Sequence, residues 1–66
     1  MEIKVNGIPK EILENTILKE LVDSMLNDTK GVAIAINDAV IPKAQWSDLK
    51  LNQNDKVLFI KATQGG

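Results

Sequence analysis

Apolar and polar residues alternate at the start of the chain, and this pattern predicts a strand over residues 2–6. Asn6-Gly7 follows it. Both central residues of a type I′ hairpin turn need positive φ, and Asn-Gly is typical of that turn. The pattern therefore predicts an antiparallel hairpin whose second strand covers about residues 8–13. Pro9 has no amide donor, which favours an edge position for this second strand.

From Thr16 the spacing of the apolar residues becomes that of a helix. One broad helix face is formed by Ile17, Leu18, Leu21, Val22, Met25 and Leu26. We expect Thr16 to be the N-cap, without the reciprocal half of a capping box, because the residue three positions further on is Lys19. Gly31 tolerates a left-handed conformation and should follow the end of the helix.

A continuous apolar run over residues 32–36 predicts an interior strand. Its larger side chains share one parity and should meet the helix, whereas Ala33 and Ala35 should form a shallow apolar surface on the other face. Asn37-Asp38 is a turn candidate. Pro42 should end the short apolar stretch after that turn, or place it at a sheet edge.

The last strand, residues 56–60, is apolar on both faces, with Leu58 and Ile60 on the opposite side from the helix. A central position in the sheet would explain this pattern. An outward apolar patch of Leu58 and Ile60 beside the two alanines would explain it as well, and the two interpretations are compatible. A right-handed crossover through the helix would make the first and last strands adjacent and parallel.

Composition limits the chemistry that this chain can perform. Its 66 residues suffice for one small domain. It has no Cys and no His, which excludes disulfides, thiolate chemistry and the most common metal ligand. Trp46 should cover one end of a mainly aliphatic core. The remaining carboxylates, lysines and hydroxyls have no spacing typical of a catalytic site, so we expect a protein that is not an enzyme.

The distribution of charge argues against two classes of partner. The eight basic residues are scattered and the net charge is -1, so no surface for nucleic acid is expected. The N-terminus does not resemble a signal peptide, and no apolar run has membrane-spanning length. These features predict a cytoplasmic protein that binds neither nucleic acid nor membranes.

The C-terminal residues carry the most unusual chemical group. Gly65-Gly66 lacks Cβ atoms and could enter a slot too narrow for other residues. Chain ends are often disordered and rich in small residues, so the pair alone could also be without function. The Gly66 carboxylate becomes reactive only when activated, for example as an acyl-adenylate. We expect a domain over residues 1–61 and a flexible tail over residues 62–66, reaching about 17 Å at roughly 3.4 Å per residue.

Several segments together carry a resemblance to a known family. They are the strand, Asn-led turn, Pro and Trp over residues 35–46, the sequence Asn54-Asp55-Lys56-Val57, the apolar last strand, and Gly65-Gly66. Over essentially its whole length the chain resembles the ThiS family, the sulfur carrier proteins of thiamine biosynthesis. Asn54 stands where these proteins often have Gly, and it also tolerates positive φ. Thr63-Gln64 is more polar than is common in the family.

The resemblance implies a ubiquitin-like β-grasp fold, an α+β fold with a mixed sheet of four to five strands packed on one main helix. This agrees with the order of elements predicted above. It also implies that Gly66 is the sulfur-carrying residue. An adenylyltransferase of the ThiF type, related to ubiquitin-activating enzymes, would use ATP to form a Gly66 acyl-adenylate. Sulfur from a cysteine desulfurase would convert the adenylate to a thiocarboxylate, which a thiazole synthase of the ThiG type would consume.

The resemblance further implies which residues meet the partners. Gly65 and Gln64 would enter the partner's channel, and the docking surface would consist of Leu58, Ile60, Ala33 and Ala35. No bound cofactor is expected, and the free protein should be a monomer.

Three alternatives remain open. One is the small subunit of molybdopterin synthase, although its aromatic-Pro-Pro approach to Gly-Gly is missing here. Another is a ubiquitin-like modifier whose Gly66 is joined to lysines. The last is a β-grasp interaction module whose tail has no role.

Overall fold

The computed structural model describes residues 1–61, which form one five-stranded sheet and one α-helix. In chain order the elements are β1 (Glu2–Val5), β2 (Ile8–Glu11), α1 (Leu18–Met25), β3 (Val32–Ile36), β4 (Ala39–Ile41), a 3₁₀ turn (Lys43–Gln45) and β5 (Lys56–Lys61). The predicted tail, residues 62–66, lies outside the described residues. Within the described part, no helix is long and apolar enough to cross a membrane.

The strands are arranged in the order β2-β1-β5-β3-β4. β1 and β5 are parallel and adjacent, as the crossover rule predicted, and the other pairs are antiparallel. Pro9 lies in the edge strand β2, where its missing donor removes no ladder bond from a second neighbour. Pro42 follows the other edge strand, β4, directly. The prediction of a mixed sheet packed on one helix is therefore confirmed, with five strands.

Two-residue turns of the same kind join both hairpins. Asn6 and Gly7 have φ angles of 51° and 82°, and Asn37 and Asp38 have φ angles of 50° and 73°. Positive φ at both positions is the signature of the type I′ turn, so both turn predictions are confirmed. Asn54 also has a positive φ of 69°, which shows that the turn before β5 is kept without a glycine.

Strand β2 is shorter than predicted. It ends at Glu11, which pairs with Glu2, the first residue of β1. Met1 and Ile12 continue the contact through two further hydrogen bonds, from the Ile12 amide to the Met1 carbonyl (2.8 Å) and from the Met1 amino group to the Ile12 carbonyl (2.7 Å). Leu13 has no partner residue in β1 and is exposed.

The predicted helix cap was wrong. The N-cap is Ile17, because the Thr16 carbonyl accepts the Leu51 amide (2.9 Å) and thereby holds Thr16 in extended pairing with the loop. The side chain of Glu20 satisfies the backbone amide of the N-cap residue: its Oε1 accepts the Ile17 amide at 2.9 Å. The amides of the first two helical residues, Leu18 and Lys19, donate to carbonyls of residues 49 and 46. Tertiary contacts thus replace a side-chain cap.

The core lies between the sheet and α1 and is closed at one end by Trp46. Its fully buried members include Ile3, Leu18, Val22 and Ile34. Trp46 is only 2% exposed, and its Nε1–H donates to the Ile41 carbonyl at 2.9 Å. The indole therefore covers the core as predicted and has its one donor satisfied.

Candidate functional site

The sheet face opposite the helix carries a contiguous apolar surface, which we call the open-face patch. It consists of Ala33, Ala35, Val40, Leu58 and Ile60. Ala35 pairs with both Val40 and Leu58, and Ala33 pairs with Ile60, so these side chains lie beside one another on one face. Val40 is 68% exposed, Leu58 47% and Ile60 44%. The structure thus brings together the four residues of the predicted docking surface, while their role stays a prediction.

The two interpretations of the last strand both hold. β5 is a central strand with β1 on one side and β3 on the other. Val57 is buried and Phe59 packs against the core. Leu58 and Ile60 have the opposite parity and point away from the helix. β5 is therefore apolar on both faces because one face completes the core and the other forms the open-face patch.

Two lysines flank the open-face patch. Lys4 of β1 and Lys56 of β5 are paired in the parallel ladder and belong to the same face as Leu58. A shallow concavity of about 550 Å³ extends between these lysines and the patch, and Leu58, Ile60 and Val40 are among its lining residues. Asp38 lines it as well, so the apolar centre lies beside two positive charges and one negative charge. The excess of positive charge suits binding to a protein surface with acidic groups at its rim. Sequence analysis did not include Val40 or the lysines, because only the strand order shows that they share this face.

The end of β5 that leads to the C-terminal residues is held by Asn6. The Asn6 amide donates to the Val57 carbonyl at 2.9 Å, and the Asn6 Oδ1 accepts the Phe59 amide at 2.8 Å. Asn6 and Phe59 are 53 positions apart in the chain. From sequence Asn6 was assigned only to the turn. Its second role depends on the parallel pairing of β1 with β5.

The other end of β5 is held by a small polar network. Asp55 is 7% exposed, and its carboxylate accepts hydrogen bonds from Asn37 Nδ2 (3.0 Å) and the Asn52 amide (2.8 Å). The Asn37 Oδ1 accepts the backbone amide of Lys56 at 3.0 Å, and the backbone amide of Asn37 donates to the Lys56 carbonyl at 2.9 Å. The turn after β3 and the turn before β5 are thereby tied together. A satisfied buried network of this kind makes the local structure more rigid.

The predicted sulfur-carrying residue, Gly66, lies outside the described residues, and so do Gly65 and Gln64. Among residues 1–61, no three His, Cys, Asp or Glu side chains lie close enough together to hold a metal ion. What the described part provides is the open-face patch and a central strand that ends at Lys61. The open-face patch and this strand end belong to the same strand, so a protein bound at the patch lies close to the start of the C-terminal residues.

The model of the family described as "ThiS family" matches residues 3–66. The chain belongs to the ThiS family. It is similar to the sulfur carrier protein ThiS of Escherichia coli, with 26% identity over 66 residues that cover all of both chains. It is also similar to the sulfur carrier protein ThiS of Thermus thermophilus, with 34% identity over 62 residues that cover 94% of this chain and 95% of the relative.

A solved structure supports the fold assignment independently of these names. The crystal structure of a thiamine biosynthesis protein (ThiS) from Geobacter metallireducens matches with a TM-score of 0.87 and 23% identity over the full length of both chains. At this identity the likeness concerns the fold alone. It confirms the predicted β-grasp fold of the ThiS family.

Proposed function

We propose that this chain is a sulfur carrier protein of thiamine biosynthesis. The observation that carries the proposal is the match to the ThiS family over residues 3–66, which extends to the terminal glycine. Both curated relatives described above are named sulfur carrier protein ThiS, and the alignment with the Escherichia coli protein covers both chains completely. A member of this family is a protein cosubstrate and not an enzyme.

The chemistry would take place on the Gly66 carboxylate. A carboxylate is a poor acyl donor until its oxygen is converted to a good leaving group. Attack of the Gly66 carboxylate on the α-phosphate of ATP would achieve this, because it joins AMP to the carboxylate and releases pyrophosphate. The outer sulfur of a persulfide formed by a cysteine desulfurase would then displace AMP and give an acyl disulfide. A thiol such as excess cysteine would reduce its S–S bond, leaving the thiocarboxylate and a new disulfide. ATP would be used by the activating partner, and this chain itself would bind no cofactor. Gly65 and Gln64 would enter the partner's channel, where the absence of a Cβ at Gly65 suits a narrow passage.

The open-face patch is the surface that we assign to partner docking. Leu58, Ile60 and Ala33 present exposed apolar area. Ala35 is only 6% exposed and lies between Val40 and Leu58, so it would support the surface more than contact the partner. Lys4 and Lys56 would pair with acidic groups around the partner's apolar contact. This location is supported by the course of β5, which carries the patch and continues into the C-terminal residues.

Activation and sulfur delivery would require separate partners. Membership of the ThiS family implies interaction with an activating enzyme and with a thiazole synthase. We propose that the activating enzyme is an adenylyltransferase of the ThiF type and that the acceptor is a ThiG-type thiazole synthase. Since both must reach the Gly66 carboxylate, they would bind in turn and not together.

Intact-mass measurement tests this function directly. The protein is incubated with ATP, the adenylyltransferase, a cysteine desulfurase and cysteine, and is then weighed. Replacement of the terminal OH by SH adds about 16 Da. Omission of ATP is the control, because without activation no sulfur should be transferred and the mass should stay unchanged. No mass increase in the complete mixture would contradict the proposal, and adducts to lysines would indicate a protein modifier.

The acceptor protein decides between two pathways. The thiocarboxylate form is offered separately to a thiazole synthase and to the large subunit of molybdopterin synthase. We expect only the thiazole synthase to return the protein to its original mass. Consumption by the molybdopterin synthase subunit alone would assign the chain to that pathway instead.

A further inference from the structure

Strand β5 extends beyond the strand with which it runs parallel. Two carbonyls at the start of β5 accept amides from the side of β1. The carbonyl of Asp55, just before the strand, accepts the Lys4 amide at 2.9 Å, and the Val57 carbonyl accepts the Asn6 amide at 2.9 Å. The chain then reverses at Gly7 and leaves β5. The next backbone group of β5 on this side is the Phe59 amide, and β1 has no backbone acceptor left for it.

The side chain of Asn6 supplies that acceptor. Its Oδ1 lies 2.8 Å from the Phe59 nitrogen and adds one hydrogen bond to the ladder after the backbone of β1 has turned away. The turn itself does not need this side chain. Asn6 has a φ of 51°, a conformation that Gly adopts at least as easily. The conformational role and the hydrogen-bonding role of Asn6 can therefore be separated by substitution.

We propose that Asn6 is a positioning residue for activation of the C-terminus. It anchors β5 at Phe59, two positions before the strand ends at Lys61, and so fixes the position and direction of the backbone at the last described residue. On the opposite side β3 still holds β5, with Ala33 paired to Ile60. Loss of the Asn6 bond would therefore loosen the end of β5 without separating it from the sheet. This inference rests on the proposed sulfur-carrier function.

Loss of the Asn6 hydrogen bond should affect binding to the adenylyltransferase and not the chemical step. A loosened strand end must be ordered as the adenylyltransferase binds, and this lowers the affinity. Once the complex has formed, the partner itself holds the C-terminal residues, so the chemical step is unaffected. A loss of this kind raises KM and leaves kcat nearly unchanged. For one hydrogen bond of ordinary strength we expect KM to rise about tenfold.

Three variants isolate the Asn6 side chain. Asn6→Gly keeps the turn and removes the acceptor. Asn6→Asp keeps an acceptor oxygen in a residue that type I′ turns also tolerate. Asn37→Gly is the control, since Asn37 has the same position in the same turn type, and its Oδ1 also accepts a β5 amide, that of Lys56. Its Nδ2 also donates to Asp55, so this variant loses one hydrogen bond more than Asn6→Gly. That bond lies at the end of β5 remote from the C-terminus.

Two measurements are made on each variant at a temperature where circular dichroism shows it to be folded. The first is hydrogen exchange of the Phe59 amide by NMR, which does not depend on the proposed function. The second is KM and kcat for carrier-dependent pyrophosphate release by the adenylyltransferase. We expect Asn6→Gly to lose about tenfold of the Phe59 protection and to raise KM by a similar factor. Asn6→Asp should restore both. Asn37→Gly should lower the stability of the whole domain, because it also removes the hydrogen bond to Asp55, but it should leave KM unchanged.

Other outcomes would overturn the inference. An equal rise of KM in Asn37→Gly would mean that general destabilisation is responsible. A higher KM in Asn6→Gly with full Phe59 protection would mean that Asn6 touches the partner directly. Unchanged Phe59 protection together with unchanged KM would mean that the hydrogen bond has no positioning role. If the adenylyltransferase does not activate even the unmodified protein, the proposed function is refuted. Failure of the Asn6 inference and failure of the proposed function are therefore distinguishable.

Discussion

Replacement of Asp55 by Asn should destabilise the fold although it changes almost no volume. The Asp55 carboxylate is 7% exposed and receives two hydrogen bonds, from Asn37 Nδ2 and from the Asn52 amide, one on each oxygen. In Asp55→Asn one of these oxygens becomes an NH₂ group. Whichever way the new amide is turned, one of the two donors then faces another donor.

The size of the effect follows from burial and charge. A hydrogen bond to a charged group contributes about 1.5–3 kcal/mol, and a buried donor without an acceptor costs about 1–3 kcal/mol. We therefore expect the free energy of unfolding to fall by about 2 kcal/mol. For a domain of this size, the unfolding temperature should fall by roughly 4–8 °C per kcal/mol, which is about 8–16 °C in total.

Urea unfolding followed by circular dichroism measures this change, with thermal unfolding as a second readout. Asp38→Asn is the matched control: it removes the same charge from an exposed turn residue with a φ of 73°, which Asn also tolerates. The control should stay within about 0.5 kcal/mol of the original protein. If Asp55→Asn also stays within that limit, the network around Asp55 does not stabilise β5 and our explanation of its burial is wrong.

Two further predictions concern activation. Leu58→Glu should lower kcat/KM for adenylation by at least about tenfold, because it places a charge in the apolar centre of the proposed docking surface. Its unfolding midpoint should change little, since Leu58 is nearly half exposed, and Leu13→Glu, an exposed position beside α1, should leave adenylation unchanged. Equal activity of the Leu58 variant would remove the open-face patch from the docking surface. Deletion of Gly66 should abolish ATP-dependent activation without shifting the thermal unfolding curve; a clear loss of stability would instead assign the residue a structural role.

The two asparagines at the hairpin turns connect stability with presentation of the C-terminus. Asn37 ties the start of β5 to the turn after β3, and Asn6 holds the end of β5 after β1 has turned away. Both adopt the positive φ that the turn requires and both accept an amide of β5. β5 is thus held at each end by a side chain from a turn, while its outer face remains free for the open-face patch.

Most elements of the fold could be predicted from local patterns. Alternation located β1, the helical spacing located α1, and the pairs Asn6-Gly7 and Asn37-Asp38 located the turns, because periodicity and positive φ are properties of a few neighbouring residues. The cap of α1 could not be predicted in this way. Its first two amides are satisfied by the carbonyls of residues 46 and 49, and the loop that supplies them is distant in sequence.

By itself, the sequence determined the order of the elements, the apolar character of both faces of β5, the absence of Cys and His, and the ThiS resemblance that points to Gly66. Only the tertiary structure decided that Val40, Lys4 and Lys56 join the face of Leu58 and Ile60, and that Asn6 reaches Phe59 across 53 positions. The physical reason is that side-chain parity is set by the local backbone, whereas neighbours across a sheet are set by strand order and register.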